Sequence, residues 1–137
     1  MSDAHDQLRA LLQRYARAAD ARDVDTLASL FHPEAEIAGT RGVQTLPEWL
    51  DGMRAPRVFA KSMHFMGDPL IELTDGEREA GVDAYANLDT YAVVYQLSDP
   101  ATGNNDLTLG IRYLDVAVRH ASTWVLKRRS ATTLWMR

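Results

Sequence analysis

The period of the hydrophobic pattern changes once along these 137 residues, from helical spacing in the first part to strict alternation in the second. Up to about residue 55, apolar residues recur every three or four positions, which predicts amphipathic helices with one buried face. From Val58 onward they alternate with polar residues, as in half-buried strands. Helices followed by strands, without repeats or a linker, predict a single α+β domain over residues 1–137.

Three short helices are predicted before most of the sheet, and each has a capping signal at its start. The first begins at residues 2–3, and the second is capped by Asp23 and ends at Pro33. The third begins with the capping-box spacing Thr45–Glu48 and ends before Pro56. The residues predicted to face the core are Leu8, Leu11, Leu12, Tyr15, Ala18, Ala19, Leu27, Leu30, Phe31, Trp49, Leu50 and Met53.

The second part of the chain predicts six strands, most of them joined as hairpins. Turn signals rich in Asp, Gly, Pro and Asn lie between several of them, at residues 74–77 and 99–105. A sheet this long curls, and helices packed on its concave side leave a cavity at the open end. The pattern predicts a cone-shaped, antiparallel or mixed sheet that encloses one apolar pocket. The predicted strands are residues 58–66, 70–73, 79–88, 90–97, 107–119 and 124–134.

Composition and motifs limit the classes of function. With 46% apolar and 25% charged residues, the chain is expected to be a soluble globular protein, and cytoplasmic because no secretory signal is visible. The lack of Cys excludes disulfides, thiolate nucleophiles and Cys-based metal sites. A net charge of −4 with scattered basic residues argues against nucleic acid, and no run spans a membrane. Without His ligand spacing or a phosphate loop, neither a metal nor a cofactor is expected.

Three segments carry a more specific signal: Tyr15–Ala35, Ser62–His64, and Gly110–Asp115 followed by Arg119 and Trp124. In their order and spacing they resemble the SnoaL-like branch of the NTF2-like superfamily. That branch includes scytalone dehydratase, bile-acid dehydratases and a hexachlorocyclohexane dehydrochlorinase. The resemblance covers nearly the whole chain and is more specific for the fold than for the reaction. It implies a cofactor-independent lyase or isomerase that takes a proton from a small hydrophobic, cyclic substrate.

The resemblance also implies a His–Asp pair on the floor of the cavity, which here would be His64 and Asp20. An imidazole is a suitable general base near neutral pH, and a carboxylate on its second nitrogen fixes the tautomer. Tyr15 occupies the position from which the family's dehydratases offer a hydroxyl, and Arg112 is a candidate to stabilise a developing oxyanion. Candidate substrate contacts are Tyr85, Asn87, Trp49, Phe59 and Met66.

Each candidate has a structural alternative that the sequence leaves open. His64 on a strand face also fits a core histidine bonded to a backbone carbonyl. Asp20 lies roughly 80° outside the apolar stripe of its helix, so it faces inward only if that helix loosens or ends near Ala19. Tyr15 also fits a core tyrosine, and Arg112 fits a structural ion pair.

Two further predictions concern pairing and assembly. Asp115 and Arg119 share one strand face and are predicted to form an outward or interface salt bridge. The resemblance suggests a homodimer or homotrimer formed through the outer face of the sheet. It also keeps open a non-catalytic module that binds a small molecule or a partner protein. The apolar residues expected to remain uncovered on the outer face are Leu109, Ile111, Trp124 and Leu126.

Overall fold

A computed structural model of the chain, which describes residues 3–75 and 79–137, has three helices and one seven-stranded mixed sheet. The predicted α+β class is confirmed, and the sheet stays open at both edges instead of closing into a barrel. The helices are α1 (Ala4–Ala21), α2 (Val24–Ser29) and α3 (Leu46–Arg54). The strands are β1 (Phe31–Gly39), β2 (Gly42–Thr45), β3 (Lys61–Met66), β4 (Leu70–Asp75), β5 (Val82–Leu97), β6 (Leu107–His120) and β7 (Thr123–Met136).

All three helices begin at side chains that cap them. Asp3 and Asp23 each accept a hydrogen bond from the backbone N–H three residues later. Thr45 and Glu48 form the reciprocal bonds of a capping box. At its other end α1 stops at Arg22, whose left-handed φ of 53° turns the chain directly into α2. Among the described residues, no helix is long and apolar enough to cross a membrane.

The long strand β5 organises the sheet, whose order is β2-β1-β7-β6-β5-β3. One edge of β5 pairs with β6 along nearly its whole length, and the other edge pairs first with β4 and then with β3. Every pairing is antiparallel except that of β1 with β7. The chain crosses from β3 to β4 at Gly67, where a Cβ would lie 2.8 Å from the Tyr91 carbonyl oxygen. A side chain at this position would therefore collide with β5.

The core lies between the helices and the inner face of the sheet. On β5 the even-numbered residues from Val82 to Val94 are buried, while the odd-numbered ones are exposed or half-buried on the outer face. Side chains from α1 and α2 close the other side of the core, and those of Leu8 and Leu27 on the helices and Leu126 on β7 are fully buried. Burial of this apolar surface is the main term that stabilises the fold.

The hairpin of β1 and β2 was not predicted from the sequence. Phe31, placed by the helical pattern at the end of the second helix, is the first residue of β1. The pairing of β1 with β7 is irregular between Phe31 and Glu36, the stretch that contains Pro33. Proline has no N–H for a strand ladder, so it lies where the ladder is interrupted.

Several strand boundaries also differ from the prediction. The strands predicted at residues 79–88 and 90–97 are parts of one continuous strand, β5. The strand predicted from Val58 begins only at Lys61. The turn predicted at residues 74–77 and the helix start predicted at residues 2–3 lie partly outside the described residues.

Candidate active site

His64 and Asp20 meet where β3 packs against the last turn of α1. The imidazole Nδ1 of His64 lies 2.6 Å from Oδ1 of Asp20, and the two side chains are only 13% and 21% exposed. A carboxylate only accepts hydrogen bonds, so Nδ1 carries the proton and donates it. The fold thus brings into contact two residues that are 44 positions apart in the chain.

The Asp20 carboxylate is held in place by β3. Ser62 Oγ donates a hydrogen bond to Oδ1 at 3.0 Å, and the backbone N–H of His64 donates to Oδ2 at 2.8 Å. With the imidazole bond, three donors fix both oxygens and therefore the plane of the carboxylate. The helix continues through Asp20 to Ala21, so the loosening expected near Ala19 does not occur. Instead β3 packs beside α1 and meets the helix outside its apolar stripe.

The surroundings of His64 favour the neutral imidazole. Burial lowers the pKa of His64 below its ordinary value of 6.5, and the hydrogen bond and charge of Asp20 oppose this only in part. The positive charges of Arg129 and Arg22 lower this pKa further. With Nδ1–H bound to Asp20, the lone pair is on Nε2, which is the form that a general base requires.

Tyr15 lies at the centre of an aromatic cluster next to the His–Asp pair. Its ring centroid is 5.8 Å from that of His64 in an edge-on contact, and 6.5 Å from Trp49 in a stacked one. Tyr113 on β6 lies 6.0 Å away, also edge-on. Edge-on and offset-stacked contacts are the favourable geometries for aromatic rings. Tyr15 therefore lies beside the base, and Trp49 packs against Tyr15.

A buried ion pair that the sequence pattern did not single out lies against Tyr15. Arg129 donates two hydrogen bonds to Asp115, at 2.7 and 3.1 Å, and both side chains are almost completely buried. The guanidinium lies between two rings, with its carbon 4.1 Å from the centroid of Tyr15 and 4.2 Å from that of Tyr113. Its Nη1 has no hydrogen-bond partner among the described residues, so one buried cationic donor is available.

The ionisation of this cluster suits the stabilisation of negative charge. Burial lowers the pKa of Arg129, but Asp115 together with Tyr15 and Tyr113 outweighs burial, so the pKa is raised and the guanidinium stays charged. Burial and then the adjoining Tyr15 raise the pKa of Tyr113 well above 10.0, which keeps its hydroxyl protonated. Because the Tyr113 hydroxyl is protonated and hydrogen-bonded to Tyr15, the Tyr15 hydroxyl can donate elsewhere, and the site has a neutral base, a fixed cation and a phenol donor.

Three residues predicted for the site lie on the outer face of the sheet, away from His64. Arg112 forms a two-point ion pair with Asp89, at 2.9 and 2.6 Å. Tyr85 and Asn87 are odd-numbered residues of β5 and therefore point outward, where they line a separate cavity of about 360 Å³. The geometry does not support a role for these three residues in proton transfer at His64.

The predicted salt bridge between Asp115 and Arg119 does not form. Residues four apart on one strand are separated by about 13 Å, too far for an ion pair. Asp115 faces the core and pairs with Arg129, its direct neighbour on β7. Arg119 pairs instead with Asp83 at 2.7 Å.

The remaining predicted contact residues lie near the site, but an enclosed pocket at His64 stays a prediction. Met66 is buried on the same strand face as His64, and Phe59 is half-buried in the bend before β3. A cavity of about 240 Å³ lies beside α1 and is lined by Leu12 and Met66 among others. Neither this cavity nor the outer one is lined by His64.

Known families and structures resemble this chain over most of its length. The family model described as a SnoaL-like domain matches residues 1–130. A scytalone dehydratase-like protein from Novosphingobium aromaticivorans shares 18% identity at a TM-score of 0.77, covering 96% of this chain and 85% of that chain. A hexachlorocyclohexane dehydrochlorinase, LinA type 2, shares 16% identity at a TM-score of 0.78. This match covers 98% of this chain and 87% of that chain.

A protein of unknown function with a cystatin-like fold, from Nostoc punctiforme, shares 18% identity at a TM-score of 0.70. The match covers 93% of this chain and 88% of that chain. No curated protein matches the chain. At such low identities the solved structures establish a common fold, and the chemistry has to be argued from the site itself.

Proposed function

The chain belongs to the SnoaL-like family within the NTF2-like superfamily, and from that premise we propose that it is a cofactor-independent lyase or isomerase. It removes a proton from carbon in a small hydrophobic, cyclic substrate. The observation that carries the proposal is the 2.6 Å contact between His64 Nδ1 and Asp20 Oδ1, which leaves Nε2 as a neutral base. The names of two structural neighbours, a dehydratase-like protein and a dehydrochlorinase, support a reaction of this kind.

In the proposed reaction Nε2 of His64 takes a proton from a carbon next to a carbonyl group. Asp20 stabilises the imidazolium that forms, and the electron pair of the broken C–H bond moves toward the carbonyl oxygen. The free Nη1 of Arg129 and the hydroxyl of Tyr15 stabilise the charge on that oxygen. The imidazolium then returns the proton, either to a departing hydroxyl, which leaves as water, or to another carbon, which gives an isomer.

The first test of the pair is the ionisation of His64 after removal of the Asp20 charge. Because that charge and its hydrogen bond favour the imidazolium, Asp20→Asn is expected to lower the His64 pKa by about one unit. An NMR titration of the imidazole resonances in wild type and variant measures the difference. His32 on β1, whose lowered pKa is caused by burial and by charges other than that of Asp20, should titrate identically in both proteins. An unchanged His64 pKa would show that the two side chains do not act as a unit.

A non-catalytic binding module is the second candidate, and the close packing around the site favours it. The rings of Trp49, Tyr15 and Phe31 pack together beside His64, with Trp49 and Phe31 only 5.2 Å apart. Incubation of cyclic hydroxy-ketones with the protein in D2O separates the candidates. A base at His64 exchanges the proton next to the carbonyl for deuterium, whereas a binding module leaves it in place.

The outer face of the sheet presents apolar side chains, although not the ones predicted. Trp124 and Leu126 are buried in the core, Ile111 packs against it, and the half-buried Leu109 lies opposite the inward-facing Val94, so none of the four is available for assembly. The residues that are exposed there, by 39% to 66%, are Met63, Phe65, Tyr91, Tyr95, Leu114 and Trp135. At about 100 Å² each they offer roughly 600 Å², close to the ~800 Å² that each partner contributes to a standard interface.

We propose that a second copy of the chain covers this outer face, giving a homodimer or homotrimer. Phe65→Asp is expected to abolish the association at micromolar concentration, because it places a charge within the apolar patch at its most exposed side chain. Sedimentation velocity measures the change in mass. Val43→Asp, at a 70% exposed position on β2, is the matched control and should leave the mass unchanged. A wild-type protein that sediments as a monomer would overturn the proposal.

A further inference from the structure

Two arginines converge beside the His–Asp pair, at the end of α1. The guanidinium of Arg22 donates to the carbonyl oxygen of Met53 at 3.4 Å and contacts its sulfur at 3.7 Å. Arg57, in the bend before β3, donates to the carbonyl oxygens of Asp20 and Ala60. Both side chains therefore lie where α1, the end of α3 and the start of β3 meet.

Arg22 is half-buried and lacks the ion pair that every other buried or half-buried arginine among the described residues forms, and the exposed Arg57 beside it lacks one too. Arg112, Arg119 and Arg129 each form an ion pair with an Asp. Among the described residues neither Arg22 nor Arg57 has one, although the chain has 19 acidic and only 15 basic residues. Contacts with helix-end carbonyls explain where the guanidiniums lie, but such groups offset only part of a full charge.

The charge left over at this place is positive and partly desolvated. Arg22 is half-buried, and burial followed by the charge of Arg57 lowers its pKa, which shows that the two guanidiniums repel each other. The Asp20 carboxylate is bound to Ser62 and His64 and forms no ion pair with either guanidinium, so its single negative charge balances at most one of the two positive charges. A bound anion would balance the other.

We propose that Arg22 and Arg57 bind a carboxylate group of the substrate, whose hydrophobic ring then lies over His64. Among the described residues Arg22 donates only through Nη1, which leaves Nε and Nη2 to bind both oxygens of a carboxylate side by side. The inference rests on the proposed function, since that function places the substrate at His64. It narrows the substrate class from neutral hydrophobic rings to hydrophobic acids.

Two probes that share one ring system test the inference. Naphthalene-2-carboxylate and the neutral naphthalene-2-carboxamide differ in charge but hardly in shape, and calorimetry gives the affinity of each. The wild-type protein is expected to bind the carboxylate at least about tenfold more tightly than the amide. In the double variant Arg22→Gln, Arg57→Gln this advantage should fall below about twofold, with the amide affinity unchanged. Glutamine keeps an N–H donor for the helix-end carbonyls, so the local fold is retained.

The matched control is Arg14→Gln, which removes one positive charge from an exposed position on the same helix. It should keep the preference for the carboxylate, and in wild type the carboxylate should shift the NMR signals of the His64 imidazole. Equal affinity of wild type for both probes, no binding, an equal loss in Arg14→Gln or no shift at His64 would overturn the inference.

Failure of this inference is distinguishable from failure of the proposed function. The titration of His64 in Asp20→Asn involves neither arginine, so the two results are independent. Coupled titration without a carboxylate preference leaves a proton-abstracting enzyme for neutral substrates. A carboxylate preference without coupled titration leaves an acid-binding module.

Discussion

Replacement of Asp115 by alanine is expected to destabilise the fold by about 3–5 kcal/mol. The variant leaves the guanidinium of Arg129 buried and charged, without either of the two hydrogen bonds that it donates to Asp115. Arginine does not deprotonate to escape the penalty, and contacts with the rings of Tyr15 and Tyr113 offset only about 2 kcal/mol of it. Denaturant unfolding of wild type and variant at pH 7 measures the free-energy difference.

Asp83→Ala is the matched control, because it removes an acid that also pairs with an arginine on the same sheet. The Asp83 and Arg119 side chains are 67% and 34% exposed, so Asp83→Ala is expected to lower the free energy of unfolding by less than about 1 kcal/mol. The double replacement Asp115→Leu, Arg129→Met should recover much of the stability, since it leaves no unpaired charge in the core. Equal effects of Asp115→Ala and Asp83→Ala would contradict the account of a buried, desolvated pair.

The position of Arg129 shows where alternation along a strand stops being informative. Counting every second residue onward from the buried Leu126 places Arg128 inside and Arg129 outside. In the structure Lys127 is an extra residue opposite β6, and this β-bulge reverses the alternation, so Arg129 faces the core. A bulge depends on the register with a neighbouring strand, which the sequence of β7 alone does not reveal. The buried position of Arg129 within the basic run Lys127–Arg129 is therefore not visible in the sequence.

Local signals predicted more of the molecule than long-range ones. The caps of all three helices and the inward face of β3, with His64 and Met66, depend on neighbouring residues and are visible in the sequence. The strand β1 was missed because it is held by parallel pairing with β7, about ninety positions away. Asp20 lies off the apolar stripe of its helix, and only the family resemblance suggested its contact with His64. Helix–sheet packing of this kind has no local signature.

Replacement of His64 by asparagine is expected to lower kcat by a factor of about 10²–10⁴, the contribution of a positioned general base. The asparagine amide can still donate a hydrogen bond to Asp20 from near the place of Nδ1, so the contact between α1 and β3 is retained. The decrease of kcat is then caused by the missing Nε2 and not by a disrupted site. Turnover or deuterium exchange on the best substrate found among cyclic hydroxy-acids and hydroxy-ketones measures it.

The same experiment has a control and a pH dependence that follows from the site. His120→Asn, at an exposed position at the end of β6, should keep at least half of the wild-type rate. The wild-type kcat/KM should fall as the pH drops through the His64 pKa, because the protonated imidazole is no longer a base. Burial lowers that pKa, so the fall lies below pH 6.5 and the rate is at its plateau at neutral pH.

In Asp20→Asn the fall of kcat/KM should occur about one pH unit lower, as the His64 titration does, because the imidazolium has lost its carboxylate partner. The plateau value of kcat/KM at neutral pH should also be lower, since Asp20 no longer stabilises the imidazolium formed in the reaction. If His64→Asn keeps more than about a tenth of the rate, or if its residual rate still follows the wild-type pH profile, the base is another group and the assignment to His64 is wrong.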